Sequence, residues 1–291
     1  MAKLRRSRIY LPGNRPRVIQ KGTLLGADVV ILDLEDSVAP DEKDAARILV
    51  TNAIKSVNFG AAEVMVRINP LTTCGREDLA AVLPVEPDAI VVPKSENREG
   101  VQVVERAILE SKLGKRVAIL PLIESAKGIL NAYDIASAST LVEAITFGGE
   151  DFTKDIGATR TREGQEIFVG RSLLVIAAKA AGVQALDTVF SDFNDMEGLR
   201  KDTLAVKQMG FDGRAAIHPS QIEVIHEVFT PTEKEIQAAV NVIRAAEIAR
   251  KKGSGVAVVK GKMIDKPVIE RAEKVICIAE RLSLPIPEPE G

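Results

Sequence analysis

Val117–Glu124, VAILPLIE, is a near-continuous apolar run that ends on a carboxylate. It does not alternate strictly, so it reads as a strand covered on both faces, as in a parallel sheet. Seven further runs share the pattern: Arg8–Pro12 (RIYLP), Val29–Glu35 (VVILDLE), Val64–Asn69 (VMVRIN), Ala89–Lys94 (AIVVPK), Ala144–Asp151 (AITFGGED), Ala185–Phe190 (ALDTVF) and Arg214–Pro219 (RAAIHP). Helical patterns such as Val101–Lys112 and Gly170–Ala181 lie between them. Successive runs begin roughly 20 to 40 residues apart, the rhythm of βα units. Eight such units in roughly 210 residues predict a (β/α)8 TIM barrel, for which about 250 residues is typical. An open doubly wound sheet is the competing architecture. The first βα turn reads PGNRP rather than G-x-G-x-x-G, so a dinucleotide fingerprint is absent.

The polar residues gather at the C-terminal ends of the runs: Asp33, Glu35 and Asp36; Arg67 and Asn69; Lys94; Glu124; Glu150 and Asp151; His218. In a barrel these ends converge on one mouth, where such enzymes place their active sites. That convergence is the main argument from the residues alone for an enzyme.

The chain continues past the eighth run. Pro231–Lys252 has helical spacing, with Thr232 at the N-cap position and Glu235 completing a capping box. Gly253–Gly255 breaks it, Val256–Gly261 reads as a short strand, and Pro267–Leu282 as a last helix with proline at its start. The expected division is a barrel domain over 1–253 and a C-terminal helical extension over 254–291.

The chain of 291 residues carries 39 Lys+Arg against 41 Asp+Glu, and aromatic residues are only 3%, with no Trp. Duplex nucleic acid needs a basic excess and single strands need stacking surfaces, so nucleic acid is excluded as an expected partner. No apolar run approaches the ~20 residues of a membrane span. Cys74 and Cys277 are far apart and the N-terminus has no signal-peptide apolar core, which predicts a reducing, cytoplasmic setting.

Glu124 and Asp151 end neighbouring runs with no His or Cys cluster beside them, a donor pair suited to a hard cation such as Mg²⁺; helix-starting acids on a barrel rim are the competing reading. Arg67 closes an otherwise apolar run and needs an anion, either Glu35 or Asp36 as a structural partner or an acidic ligand. Lys94 raises the possibility of a Schiff-base aldolase, but the acids around it would raise its pKa and disfavour that chemistry. His218 precedes proline and reads as structural, and His226 as a helix residue without a role. The cations Lys3, Arg5, Arg6, Arg8, Arg15, Arg17 and Lys21 read as solvated surface or as a landing site for a phosphorylated cofactor.

With these residues in hand, the sequence resembles the HpcH/HpaI aldolase superfamily, and within it the citrate lyase beta-subunit-like branch that includes malyl-CoA and citramalyl-CoA lyases. YLPGNRPRVIQKG, DLEDSV, VMVRIN, IVVPK, LPLIES, FGGEDF, GRSLLVIAAKAAGVQALDTVF and GFDGRAAIHPSQI carry the resemblance, which runs from about residue 6 to about residue 282. It implies Mg²⁺-dependent cleavage or formation of a carbon–carbon bond in a 3-hydroxyacyl-CoA thioester, giving acetyl-CoA and a 2-oxo acid such as pyruvate or glyoxylate. Glu124 and Asp151 match its metal ligands. Arg67 matches its substrate-binding arginine, with Glu124 also meeting substrate and Glu35 and Asp36 in support. Asp265 of GKMIDKP, flanked by Lys262 and Lys266, matches an acid/base that reaches a neighbouring subunit's site from the C-terminal arm, in homotrimers or hexamers. Arg15 and Lys21 are placed for the CoA phosphates. An acyl carrier protein in place of CoA, as in the citrate lyase complex, is the alternative carrier, and a non-catalytic carrier-binding subunit the alternative to an enzyme.

Overall fold

The computed structural model describes residues 3–251, 257–259 and 262–289. Eight parallel strands close into a barrel in chain order. They are β1 (Ser7–Pro12), β2 (Val29–Asp33), β3 (Glu63–Arg67), β4 (Ala89–Val92), β5 (Ala118–Ile123), β6 (Ala144–Phe147), β7 (Gln184–Asp187) and β8 (Gly213–Ala216). Closure is the pairing of β1 with β8, in the register Arg8↔Ala215. The expected TIM barrel is the architecture found.

The strands alternate between two buried faces. Val29, Ile31, Met65, Val91, Leu120 and Leu186 fill the barrel interior, with Tyr10 packed against them. Their neighbours Val30, Leu32, Val66, Ile90 and Ile119 are equally buried on the opposite face, because side chains alternate along a strand. Double coverage is why the runs read as near-continuous apolar sequence. Helices connect the strands. The helix Gln165–Ala181, for example, stops at Gly182, whose φ of +74° is the left-handed C-terminal cap that glycine adopts without strain.

The strands are shorter than the apolar runs at their C-terminal ends. Asp33 and Arg67 are last residues of strands, whereas Glu35, Lys94, Glu124 and His218 lie just beyond them in the turns. Asp151, expected at a strand end, lies instead in the first turns of the helix Gly149–Asp155. Glycine and acidic residues in GGED suit a helix N-terminus, where backbone N–H groups point outward, better than a strand.

At the opposite end of the barrel Arg5 is fully buried. It donates from Nε and Nη2 to Glu63 at 2.7 and 2.8 Å, from Nη1 to Gln184 at 2.9 Å, and from Nη2 to Glu143 at 2.6 Å.

The chain divides into two compact units, Met1–His226 and Glu227–Gly291. The sequence placed the boundary after residue 253, with the helix over 231–252 in the barrel domain. In the structure that helix, Glu233–Lys251, belongs to the second unit and packs against the helix Lys266–Arg281. The expected capping box is present: Glu235 N–H donates to Thr232 Oγ1 at 3.2 Å, and Thr232 N–H to Glu235 at 2.8 Å. The expected single short strand is a two-stranded antiparallel pair, β9 (Ala257–Val259) and β10 (Lys262–Ile264). The break expected at Gly253–Gly255 lies outside the described residues. No helix among the described residues is long and apolar enough to cross a membrane.

Candidate active site

A cavity of about 390 Å³ opens at the C-terminal end of the barrel. Tyr10, Asp33, Asp36, Arg67, Glu124 and Asp151 line it, with Leu122 and Phe147 as apolar wall and Gly148, Gly149 and Thr188 between.

Arg67 is set by register. Asp33 is its direct partner across β2 and β3, and the two meet as a fork, Nε to Oδ1 at 2.6 Å and Nη2 to Oδ2 at 2.7 Å. The sequence offered Glu35 and Asp36 as partners. Both are near Nη1, at 2.8 and 3.4 Å, but the bidentate partner is Asp33, because only the last residue of β2 lies opposite Arg67. The Tyr10 ring lies under the guanidinium, 4.9 Å from centroid to Cζ. Burial would push the Asp33 carboxyl up, but the Arg67 fork and the Ser37 hydroxyl hold it below its ordinary value. The same ion pairs keep Arg67 firmly protonated despite burial.

Glu35 is the opposite case. It is buried, its Oε2 faces Arg67 without hydrogen-bond alignment, and Asp36 and Glu124 add negative charge. Burial foremost pushes its carboxyl up to about 8. Glu124 is also buried and raised to about 7, chiefly by burial, although the Lys94 backbone N–H donates to its Oε1 at 2.7 Å.

Lys94 connects the two carboxylates expected to share a cation. Its Nζ lies 2.6 Å from Asp151 Oδ2 and 3.6 Å from Glu124 Oε1. Burial would lower its pKa, but the Asp151 hydrogen bond and the surrounding carboxylates raise it to about 12. Its backbone adopts φ +50°, uncommon for a residue with a side chain and of the kind that collects at functional sites. Gly148 makes the room: a Cβ there would stand 2.6 Å from Glu124 Cβ and 2.8 Å from its Oε2.

The HpcH/HpaI aldolase/citrate lyase family profile matches residues 6–219, most of the chain and the whole barrel. The chain belongs to this family. It is 42% identical to the citrate lyase subunit beta of Leuconostoc mesenteroides subsp. cremoris, over 95% of this chain and 94% of that protein. It is 34% identical to the mitochondrial citramalyl-CoA lyase of Rattus norvegicus, over 94% of this chain and 86% of that protein. Among solved structures it resembles the CitE protein of Mycobacterium tuberculosis in complex with magnesium, acetoacetate and coenzyme A, with a TM-score of 0.75 and 30% identity over 94% of this chain and 98% of that one. This HpcH/HpaI member is therefore an enzyme of a carbon–carbon lyase family.

In this family member the barrel brings together five of the residues singled out from sequence: Arg67, Glu124 and Asp151 with Glu35 and Asp36. Arg15 and Lys21 are exposed at either end of the short helix Pro16–Lys21 that follows β1. Asp265 lies in the second unit as the N-cap of Lys266–Arg281, its Oδ1 accepting from the Val268 N–H at 3.3 Å. His218 is exposed, bonded to the Ser220 hydroxyl and stacked on Phe193 with 21° between the rings. His226, given no role, has its Nε2 2.7 Å from the Ser7 hydroxyl. Sequence reasoning missed Tyr10 and the bridging geometry of Lys94. The signal for Tyr10 was its position two residues from Arg8 on one face of β1; nothing local marks Lys94 as a bridge.

Proposed function

We propose that the chain is a Mg²⁺-dependent carbon–carbon lyase that cleaves, or in reverse forms, a 3-hydroxyacyl-CoA thioester of the citramalyl or malyl type, with acetyl-CoA and pyruvate or glyoxylate as the other side of the reaction. One observation carries this reading: Arg67, locked by Asp33, shares a single cavity with the Glu124–Asp151 pair.

The donor set suits the ion. Glu124 and Asp151 already hold one cation between them, the Lys94 ammonium, and the glycine at 148 leaves the Glu124 carboxylate clear. Among the described residues no third His, Cys, Asp or Glu completes a cluster, and a two-carboxylate donor set would suit Mg²⁺, a hard cation that usually keeps several waters. Bound there, Mg²⁺ would supply Lewis acidity to oxygens of the acyl chain.

The chain's own residues do the rest. Asp33 fixes the plane and direction of the Arg67 guanidinium, which faces the oxygen that becomes the 2-oxo carbonyl and stabilises charge there without reorganising. Leu122 and Phe147 keep water from that side of the cavity. Lys94, protonated through the neutral range, holds carboxylates rather than forming a Schiff base. Breaking the bond turns the hydroxyl into the oxo group, its proton passing to water at the cavity mouth, and leaves an acetyl thioester enolate that needs a proton at carbon; Asp265 is the acid for it, and in condensation the base. Asp265 works in a neighbouring copy within a trimer or hexamer, and Arg15 and Lys21 take the CoA phosphates. The two cysteines are free, in keeping with a cytoplasmic setting.

A second reading is a citryl thioester carried on an acyl carrier protein, favoured by the 42% identity to a citrate lyase beta subunit. The test is an activity panel of malyl-CoA, citramalyl-CoA and 3-methylmalyl-CoA with Mg²⁺, alongside citryl-acyl carrier protein. Turnover of a CoA thioester that chelator abolishes supports the first reading, turnover of the carrier-protein thioester alone the second. Turnover that survives chelation, with borohydride trapping of a keto acid, overturns both.

A further inference from the structure

Arg8 stands where a barrel of this kind places an apolar side chain. It points into the interior from β1, paired in register with Val29 on one side and Ala215 on the other. It is completely buried and lines the candidate active-site cavity. Its Nη2 donates to the backbone oxygen of Asp187 at 2.7 Å, whereas Nε and Nη1 have no hydrogen-bond partner. Three of the five donors of a guanidinium thus have no partner in the protein, at a fully buried position beside the cavity.

The nearby carboxylates are committed elsewhere. Asp187 turns its carboxylate to Arg171, at 3.0 and 2.9 Å, and Asp33 gives both its oxygens to Arg67. Arg5, by contrast, satisfies its guanidinium at the far end of the same barrel. An unpaired buried guanidinium is costly unless something else supplies the acceptor. A second idle group belongs to the same interior: Thr146 Oγ1 on β6, whose register partners Leu122 and Leu186 are core residues. The small side chain at 215 leaves Arg8 free to run along the wall toward the mouth.

We propose that Arg8 determines specificity: its idle N–H groups take a second carboxylate carried on the 2-oxo acid half of the substrate. This rests on the lyase reading above, which places the first carboxylate and the oxo oxygen at Arg67 and the Glu124–Asp151 pair. The remaining substituent on the oxo carbon then reaches the arginine. Hydrogen or methyl, as in glyoxylate or pyruvate, leaves the guanidinium unpaired; a carboxymethyl group satisfies it with a charge-assisted pair. A site built to hydrogen-bond one group rejects the analogue that lacks it far more strongly than an apolar pocket rejects a methylene. Arg8 therefore favours the citryl chain of the second reading over the citramalyl and malyl chains of the first, and leaves the Mg²⁺-dependent lyase chemistry common to both unchanged.

The experiment is calorimetric titration of the full-length protein in Mg²⁺ with oxaloacetate and with pyruvate. The readout is the ratio of the two dissociation constants. Wild type is expected to favour oxaloacetate by at least about tenfold, and Arg8→Met to bring the ratio within about twofold of one. Arg8→Gln, which keeps two donors without the charge, should fall between and guards against a misfolded Met variant. A wild-type ratio near one, or a ratio that neither variant changes, overturns the role of Arg8 while pyruvate binding leaves the lyase reading standing. If neither acid binds in Mg²⁺, both fail together.

Discussion

The two ends of the barrel use the same residue types to opposite effect. At the N-terminal end Arg5 engages Glu63, Glu143 and Gln184, and Lys3 adds a further pair to Glu63 at 2.8 Å. Burial would raise the Glu63 carboxyl, but the hydrogen bonds and charges of Arg5 and Lys3 hold it below its ordinary value. At the C-terminal end burial foremost, with the charge of neighbouring carboxylates added to it, pushes Glu35 and Glu124 up to about 8 and about 7 although Arg67 and Lys94 lie beside them. Matched charge closes a barrel; mismatched charge is held in readiness for a ligand. A buried ion pair alone therefore says nothing of function, whereas a carboxylate that its surroundings fail to keep ionised marks a candidate site.

The largest expected effect tests the mouth. If Asp151 holds the metal as proposed, Asp151→Asn should lower kcat/KM by about 10³-fold or more, because the metal it would retain is worth several kcal/mol of transition-state stabilisation. Its circular dichroism spectrum should match wild type. Near-normal turnover at low Mg²⁺ would remove Asp151 from the site.

The next prediction sets one arginine against the other. Arg67→Lys keeps a charge but loses the planar fork, so kcat/KM should drop by about 10²-fold. Arg5→Met leaves the buried Glu63 with only the half-exposed Lys3 as partner, which should cost about 3–5 kcal/mol in urea unfolding with kcat/KM of the folded fraction within about twofold of wild type. A comparable loss of kcat/KM in both variants would break the contrast between the ends.

A smaller effect follows from Glu35. Its carboxyl is raised from 4.5 to about 8, so the folded state retains a proton that the unfolded chain releases. The associated stability is fully present below about pH 4.5 and is lost as pH rises through about 8. In chelator the melting temperature should therefore fall between pH 5 and 8, and Glu35→Gln should flatten that decline. An unchanged slope in the variant would assign the pH dependence to other groups.

The smallest effect concerns Asp265, which caps a helix whatever else it does. Asparagine caps as well as aspartate, so Asp265→Asn should leave stability within about 0.5 kcal/mol, whereas Asp265→Ala should cost about 1 kcal/mol. Loss of turnover in Asp265→Asn at unchanged stability would isolate the acid from the cap. Mixing Asp265→Ala with Asp151→Asn under subunit exchange should then restore turnover if the acid serves a neighbour.

The barrel was legible because both faces of every strand are buried, which writes β1 to β8 as apolar runs. The site was legible in part because those runs end in charge. What sequence could not supply was register and direction. Asp33 was visible, but its place opposite Arg67 follows from how β2 pairs with β3. Lys94 could be seen to lie near acids, but its bridge depends on a left-handed backbone at that residue. Arg8 read as one more surface cation in a basic cluster until the alternation of β1 turned it inward. The helix Glu233–Lys251 showed its cap and length, but its assignment to the second unit depends on contacts with a helix further along the chain.

The pairing of Ser7 with Arg214 has a consequence for how the protein is made. A ribosome adding about 5–20 residues per second needs roughly 10–40 s to reach the strand that β1 must join. Throughout that interval one edge of the nascent sheet is open to any passing strand. Arg5, Arg6 and Arg8 crowd the start of that edge with positive charge, a deterrent against strand addition by another chain. Contacts this distant along the chain also slow folding, because loop closure must precede the pairing that rewards it. The residues that finish the barrel are thus also placed to guard it while it is unfinished.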